Sequence, residues 1–414
     1  HRGYEVRHAQ NFTDIDDKII NRAIVLGIVP NELTQSLITD WLSESDALNV
    51  LPATVYPRAT LEIDAIVRMI SVLIERGHAY RVEGDVYFRV RSFPNYGKLS
   101  RRSPDDLLSG ARIDVDERKD DPLDFALWKA VKPGEPWWES PWSRGRPGWH
   151  IECSAMCTTH LNDVVDIHGG GADLIFPHHE NEIAQSEAYL QREPFARYWV
   201  HNGLMRLSGE KMSKSLGNIV RIRDIIDRGL APAFRLMVLQ SQYRAPLTYT
   251  EEGLQAAERG LDRLRSAVAI TDASAPFSER DDGHQASDLA ALAIDVEERF
   301  HAAMDDDFDT PGAVAALFDL GRALNRAKAS AAPSEAIPLA RKTLTGLATV
   351  LGIQFSVDTP PIGEARQFID LLVQVRDELR AAKHWALSDR IRDELSEKGI
   401  TVEDGASRST WRST

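Results

Sequence analysis

Cysteine is nearly absent: the 414 residues hold two, Cys153 and Cys157. Two thiols four positions apart cannot build a disulfide framework and point instead to a metal or catalytic role. Long apolar runs are also missing. None approaches the roughly 20 residues that span a bilayer, and no secretory leader opens the chain, so a cytoplasmic protein without a membrane partner is expected. The sequence contains no Gly-x-x-x-x-Gly-Lys-[Ser/Thr] phosphate loop, no internal repeat and no low-complexity tract. It has no basic surplus either. A net charge of −14 argues against non-specific coating of nucleic acid but leaves room for a local basic track. Hydrophobic residues make up 43% and charged residues 27%, ordinary values for a soluble enzyme of several domains.

Periodicity divides the chain. "YEVRHAQNFTDIDDKIINRAI" reads as a strand, a polar turn and a helix beginning near Asp16. From Leu61 to Arg76 apolar residues recur at helical spacing, with Gly77 at the stop position. "GDVYFRV" alternates as a strand. Residues 92–147 are dense in proline, glycine and tryptophan and read as an inserted subdomain. After them "DVVDIHGGG" reads as a strand into a glycine turn, then come a helix and the strand "ARYWVHNGLM". This alternation predicts an α/β domain with a parallel sheet flanked by helices. "RLSGEKMSKSLGNIV" reads as a polar loop, and from Ile222 onward the pattern is helical almost throughout. Asp358 to Ala365 reads as a linker to a helix pair and a short strand. The expected division is 1–91 and 148–208 for the two parts of the α/β domain, with 92–147 inserted between them. It continues with 209–250 for the polar loop and the segment after it, 251–357 for a helical bundle and 358–414 for the C-terminal unit.

"FPHHENEIAQSEAYLQ", residues 176–191, packs two histidines and two glutamates into five positions. It is not the H-E-x-x-H helix of zinc proteases, because Ile183 stands where the second histidine belongs. At helical spacing His178 and Glu182 share a face. Taken alone, this is most simply the polar start of a buried helix. Cys153 in "GWHIECSAM" shifts the balance, because thiolate, imidazole and carboxylate are all ligand types that zinc accepts, and three protein ligands leave an open site. Cys157 reads as a small buried residue. The glycines of "DIHGGGADL" permit a close backbone approach to a ligand or only a tight turn; His168 and Asp173 flank them. "KMSKS" sets Lys211 and Lys214 in a loop as a phosphate-charge clamp, or as a solvated lysine loop.

Several segments together, in order, resemble the class I aminoacyl-tRNA synthetases, and within them the cysteinyl-tRNA synthetase family: "NFTDIDDKI", "YGKLS", "DPLDFALWK", "PGWHIECSAM", "DIHGGGADLIFPHHENEIAQSEA", "KMSKSLGN" and "DRIRDEL…GITVED…TW". The resemblance covers nearly the whole chain. It implies a Rossmann-like catalytic domain, N-terminally incomplete, with an inserted connective subdomain, followed by an all-α helical bundle that binds tRNA and a small C-terminal α/β unit that reads the anticodon. Residues 209–250 would then be the KMSKS loop and stem-contact region.

The implied chemistry joins L-cysteine and ATP (with Mg²⁺) into cysteinyl-adenylate, then transfers the cysteinyl group to the 3′ end of tRNA(Cys). One Zn²⁺ is implied at Cys153, His178 and Glu182. Its fourth ligand, a cysteine, and the H-I-G-H signature would both precede His1, so a fragment inactive until its N-terminus is restored is expected. Thr13, Trp149 and His168 match the cysteine pocket; Gly169, Gly170, Gly171 and Asp173 would face the adenosine. Lys214, with Lys211, would stabilise charge on the leaving pyrophosphate. A monomer is expected. Acidic and basic residues nearly balance in the C-terminal unit, where Arg380, Lys383, Arg390 and Arg392 are candidates for phosphate contact. The alternatives are a mycothiol-pathway ligase that passes cysteine to an amino-sugar, and a non-catalytic tRNA- or zinc-binding fragment.

Overall fold

The computed structural model describes residues 1–103, 105, 117–207, 220–269, 283–329, 336–355, 366–405 and 409–413. Of the expected polar loop at 206–220, Arg206–Leu207 instead form a short strand paired in parallel with Thr248–Tyr249; residues 208–219, with Lys211 and Lys214, and the linker at 358–365 lie outside the described residues. The chain divides into two compact units, His1–Ile353 and Gln354–Thr414. No helix among the described residues is long and apolar enough to cross a membrane.

The first unit opens without the expected strand. Residues 4–12 make only isolated parallel bridges, Ala9 to Val55 and Phe12 to Arg58, too few for a ladder. Helix α1 (Asp17–Leu26) begins where the sequence signals it: the Asp16 side chain accepts the Ile19 N–H at 2.6 Å, and Gly27 ends the helix in the left-handed region. Helix α2 (Pro30–Ala47) follows, and α3 (Ile63–Glu75) buries Ile63, Ile66, Met69, Ile70 and Leu73 along one stripe.

Strands β1 (Ala79–Val82), β2 (Asp85–Phe88), β3 (Phe125–Ala130) and β4 (Gly145–Pro147) form one antiparallel sheet in that order. The sheet draws on residues from both sides of position 91/92. In β2 the expected alternation fails, because all four residues are buried. Asp85 tolerates this because its carboxylate accepts from the Ala130 N–H at 2.7 Å, from Tyr87 Oη at 3.0 Å and from Arg118 Nη1 at 2.9 Å.

Helix α4 (Trp149–His160), strand β5 (Val165–Gly171), helix α5 (Glu180–Leu190) and strand β6 (Ala196–Asn202) carry most of the chemically distinctive side chains. β5 and β6 pair in parallel, from Val165 against Ala196 to Gly171 against Asn202, as the alternating pattern predicts. The core of this region joins Ile66, Ile70, Phe88, Trp128, Ile151, Ala155, Ile183 and Ala184.

Beyond it the described residues are mostly helical: Ile222–Asp227, Ala231–Leu239, Glu251–Val268, Gly283–Asp305, Thr310–Ala329 and Ala336–Val350. The half-buried Arg235 donates to the carbonyls of Leu48, Asn49 and Leu351, tying the end of α2 to the end of the bundle.

The second unit has two helices (Arg366–Ala381 and Trp385–Glu397) and an antiparallel strand pair (Ile400–Glu403 with Thr410–Ser413), where one short strand was expected. The Arg376 guanidinium is buried and donates to Asp404 at 2.6 Å. Three of the candidate phosphate-contacting cations face acids of their own unit: Arg380 pairs with Asp404, Arg390 with Glu394, and Arg392 with Asp389 and Asp393.

Helix α5 is buried on nearly every side despite its polarity. The Glu180 carboxylate accepts three backbone N–H groups, those of Gly97 (3.0 Å), Leu99 (3.3 Å) and Ser100 (2.8 Å). Tyr96 Oη donates to Asn181 Oδ1 at 2.5 Å, and Lys98 Nζ meets Glu187 at 2.5 Å. The first turn of α5 therefore holds the "YGKLS" segment in place. Glu180→Ala should strand these buried and partly buried donors at a loss of about 2–4 kcal/mol, since each unsatisfied buried group costs ~1–3 kcal/mol. Urea denaturation measures it, and an unchanged midpoint would show that the segment finds other partners.

Candidate active site

Three segments converge. Gly148 starts α4 against the neighbouring strand; a Cβ there would lie 1.9 Å from the Ala126 carbonyl oxygen. One turn into α4, Cys153 faces α5. Glu182 projects from the first turn of α5. His178 comes from the irregular turn Ile175–His179, where the extended backbone of Phe176 (φ −139°, ψ 132°) breaks the helical path. The ligand atoms of Cys153, His178 and Glu182 lie within 4.8 Å of one another. The sequence spacing that placed His178 and Glu182 on one face holds across the helix start, with His178 Nε2 3.0 Å from Glu182 Oε1.

Glu182 is the unusual member. It is fully buried, and no donor is aligned for a hydrogen bond to either oxygen, although His168 Nε2 stands 3.4 Å from Oε2. Burial alone would raise its pKa, but His168 and His178 outweigh it and hold the carboxyl well below the usual range. His168 shows the reciprocal effect: burial lowers its pKa, Glu182 overrides this, and it is pushed up to about 10. Burial, then the Glu182 charge, pushes the Cys153 thiol well up. A buried anion with unfilled lone pairs beside a thiol that ionises only next to a cation suits a soft divalent metal. The residues present fit such an ion.

The surrounding residues orient this set. His178 Nδ1 faces His150 Nδ1 at 2.9 Å, and His179 Nδ1 faces His201 Nε2 at 2.8 Å. Burial takes both His150 and His179 down to about 3, so both are neutral. With the neutral His150 as acceptor at Nδ1, His178 would keep Nε2 free for the metal side. Trp149 lies over His178 with ring centroids 4.3 Å apart and remains 45% exposed, making it a wall open to solvent. His168 adjoins the cluster from β5.

Thr13 lies against Glu152 in the first turn of α4. Gly170 has a packing reason to be glycine: a Cβ would come within 3.0 Å of His179 Cε1 and 2.8 Å of Leu174 Cδ1. Asp173 is exposed and folds back over Gly171, and Gly169 lies beside Val200. Sequence reasoning missed Asn11, whose Nδ2 donates to Cys153 Sγ at 3.5 Å, and also missed His150 and His201. No periodicity links positions so far apart.

Residues 1–259 match the family described as tRNA synthetases class I (C) catalytic domain, and residues 299–356 match the DALR domain. The chain is 49% identical over 413 residues to a cysteine–tRNA ligase of Dehalococcoides mccartyi, covering 100% of this chain and 88% of that protein. The cysteine–tRNA ligase of Methylococcus capsulatus is 50% identical over 423 residues, with the same coverage. The chain belongs to the cysteine–tRNA ligase family. Solved structures of other synthetases share the fold. Mycobacterium tuberculosis methionyl-tRNA synthetase in complex with methionyl-adenylate has a TM-score of 0.60 at 16% identity, covering 90% of this chain and 87% of that one. A putative arginyl-tRNA synthetase from Campylobacter jejuni gives 0.52 at 12% identity, covering 86% and 85%. The chain thus has the Rossmann-like catalytic domain of class I and, in the DALR domain, the helical region that follows it.

Because the family match extends over the full chain, the amino-sugar ligase and the non-catalytic fragment are not favoured. Adding Zn²⁺ should raise the thermal midpoint of this family member, and a chelator should reverse the gain. A site filled at a hundredfold its Kd adds about 2.7 kcal/mol. Calorimetry of Glu182→Gln should show most of that gain gone; an equal shift in the variant would remove Glu182 from the ligand set.

Proposed function

We propose that this chain activates L-cysteine with ATP to cysteinyl-adenylate and transfers the cysteinyl group to tRNA(Cys), with Zn²⁺ at Cys153, His178 and Glu182 selecting the thiol. The convergence of these three side chains around a buried carboxylate without aligned donors carries the reading. Serine differs from cysteine by O for S, a change too small for an apolar pocket to reject strongly. Bound at this site, zinc supplies a soft acceptor that a thiolate fills and a hydroxyl does not.

The chain's own residues do the rest. Cys153 and Glu182 supply two negative charges, and His150, accepting the His178 Nδ1–H, would hold the tautomer that leaves Nε2 for the metal. Trp149, half-exposed over His178, walls the cysteine pocket, with His168 and Thr13 assigned to the same pocket. Gly169, Gly170, Gly171 and Asp173 are assigned to the adenosine. Lys211 and Lys214 are assigned to the charge on the leaving pyrophosphate. Adenylate formation needs no side-chain nucleophile, because the substrate carboxylate itself attacks the α-phosphate; positioning dominates. Mg²⁺ accompanies ATP as substrate. A cytoplasmic monomer accords with this reading.

Cobalt substitution tests it. L-cysteine added to the Co²⁺-loaded protein should intensify the thiolate-to-metal absorption in the near ultraviolet, and L-serine should not. Equal responses to the two, or none to cysteine, would end the thiol-selecting assignment.

A further inference from the structure

The cluster holds more ligands than one ion uses. Cys157, His168 and Glu182 also bring one ligand atom each to within 4.8 Å of one another. This second set shares only Glu182 with the first. Helix α4 explains the two thiols: Cys153 and Cys157 are four apart, so both face α5. Strand β5 brings His168 from the other side.

The shared carboxylate is divided between the two sets. Glu182 Oε1 lies 3.0 Å from His178 Nε2, while Oε2 lies 3.4 Å from His168 Nε2. Both oxygens are buried and neither accepts an aligned hydrogen bond. A carboxylate with one oxygen turned to each of two donor sets is placed to bridge two divalent ions. Thiolate, imidazole and carboxylate again make a ligand set for zinc or a similar thiophilic ion.

We propose that Cys157, His168 and the second oxygen of Glu182 form a second divalent-metal site, bridged through Glu182 to the first. It fills only when thiophilic metal is in excess. The inference rests on the proposed function for the first ion and for the role of His168. Occupation is weaker because the second dication enters beside the first. The consequence is regulatory. An ion in the second site takes His168, so excess zinc opposes cysteine binding.

Metal content after equilibrium dialysis tests this. In excess Zn²⁺ the unaltered chain should hold two ions, and Cys157→Ser and Cys153→Ser one each. With Co²⁺, the second equivalent should add a second step of thiolate-to-metal absorption that Cys157→Ser lacks. Saturation of the unaltered chain at one ion, with Cys157→Ser equal to it, would overturn the second site and leave the first intact. Binding of no ion by the unaltered chain would overturn both. Two ions in Cys157→Ser, with both absorption steps retained, would also remove Cys157 from the site.

Discussion

A buried carboxylate without an aligned donor is the constraint around which this site is built. Taking Glu182 fully out of water is expensive unless a cation offsets it. Every nearby element contributes to that offset or aims something at it: α4 brings the Cys153 thiol, the irregular turn brings His178 and β5 brings His168. The helices that meet here are joined by apolar packing of Ile151 and Ala155 against Ile183 and Ala184, and by Gln185, whose Nε2 reaches the His150 carbonyl and Ser154 Oγ, each at 3.0 Å. A polar helix survives burial because most of its polar groups are matched, and the Glu182 oxygens are left for a cation.

What the sequence made legible stems from locality. His178 and Glu182 are four apart, and helical spacing alone brings them together. The N-cap at Asp16, the stripe on α3 and the parallel pairing around the glycine turn were equally local. Readings that failed depend on distant partners. The alternation in "GDVYFRV" suggested one face in water, but Arg118 and the Ala130 amide reach back to bury Asp85. Glu180 looked like part of a helix's polar start; its partners, the backbone N–H groups of Gly97, Leu99 and Ser100, lie some 80 residues earlier. Cys157, read as a small buried residue, is partly buried against the core as expected, but nothing in its own helix announces the His168 beside it.

The same distinction governs the proposed selection of sulfur over oxygen. Shape is a poor discriminator there, because Trp149, the wall assigned to the pocket, is half exposed. The discrimination has to be chemical, and the neighbouring imidazoles fit that need. Burial keeps His150 and His179 neutral, so neither adds charge that would compete for the anions around Glu182. Asn11 adds a donor to Cys153 Sγ from a segment that makes only isolated bridges, so the thiol is approached from a side that no regular element supplies.

Positional accuracy remains to be explained, because an ion-binding set must be held within a fraction of an ångström to be selective. The first turn of α5 supplies this through its sequence of roles. Glu180 is locked by three backbone N–H groups and Asn181 by the Tyr96 hydroxyl, while Glu182 turns toward the cluster. Successive residues of one rigid turn cannot move independently. Fixing the first two on the 96–100 segment therefore fixes the third, and the entropy of holding Glu182 in place is lost on folding and not again when the ion and substrate arrive. On this view "HHENE" is neither a metal motif nor a helix cap alone. Its glutamates divide the work, one anchoring the turn and the other turned toward the cluster, and the anchor makes a strongly polar pattern a buried, preorganised one.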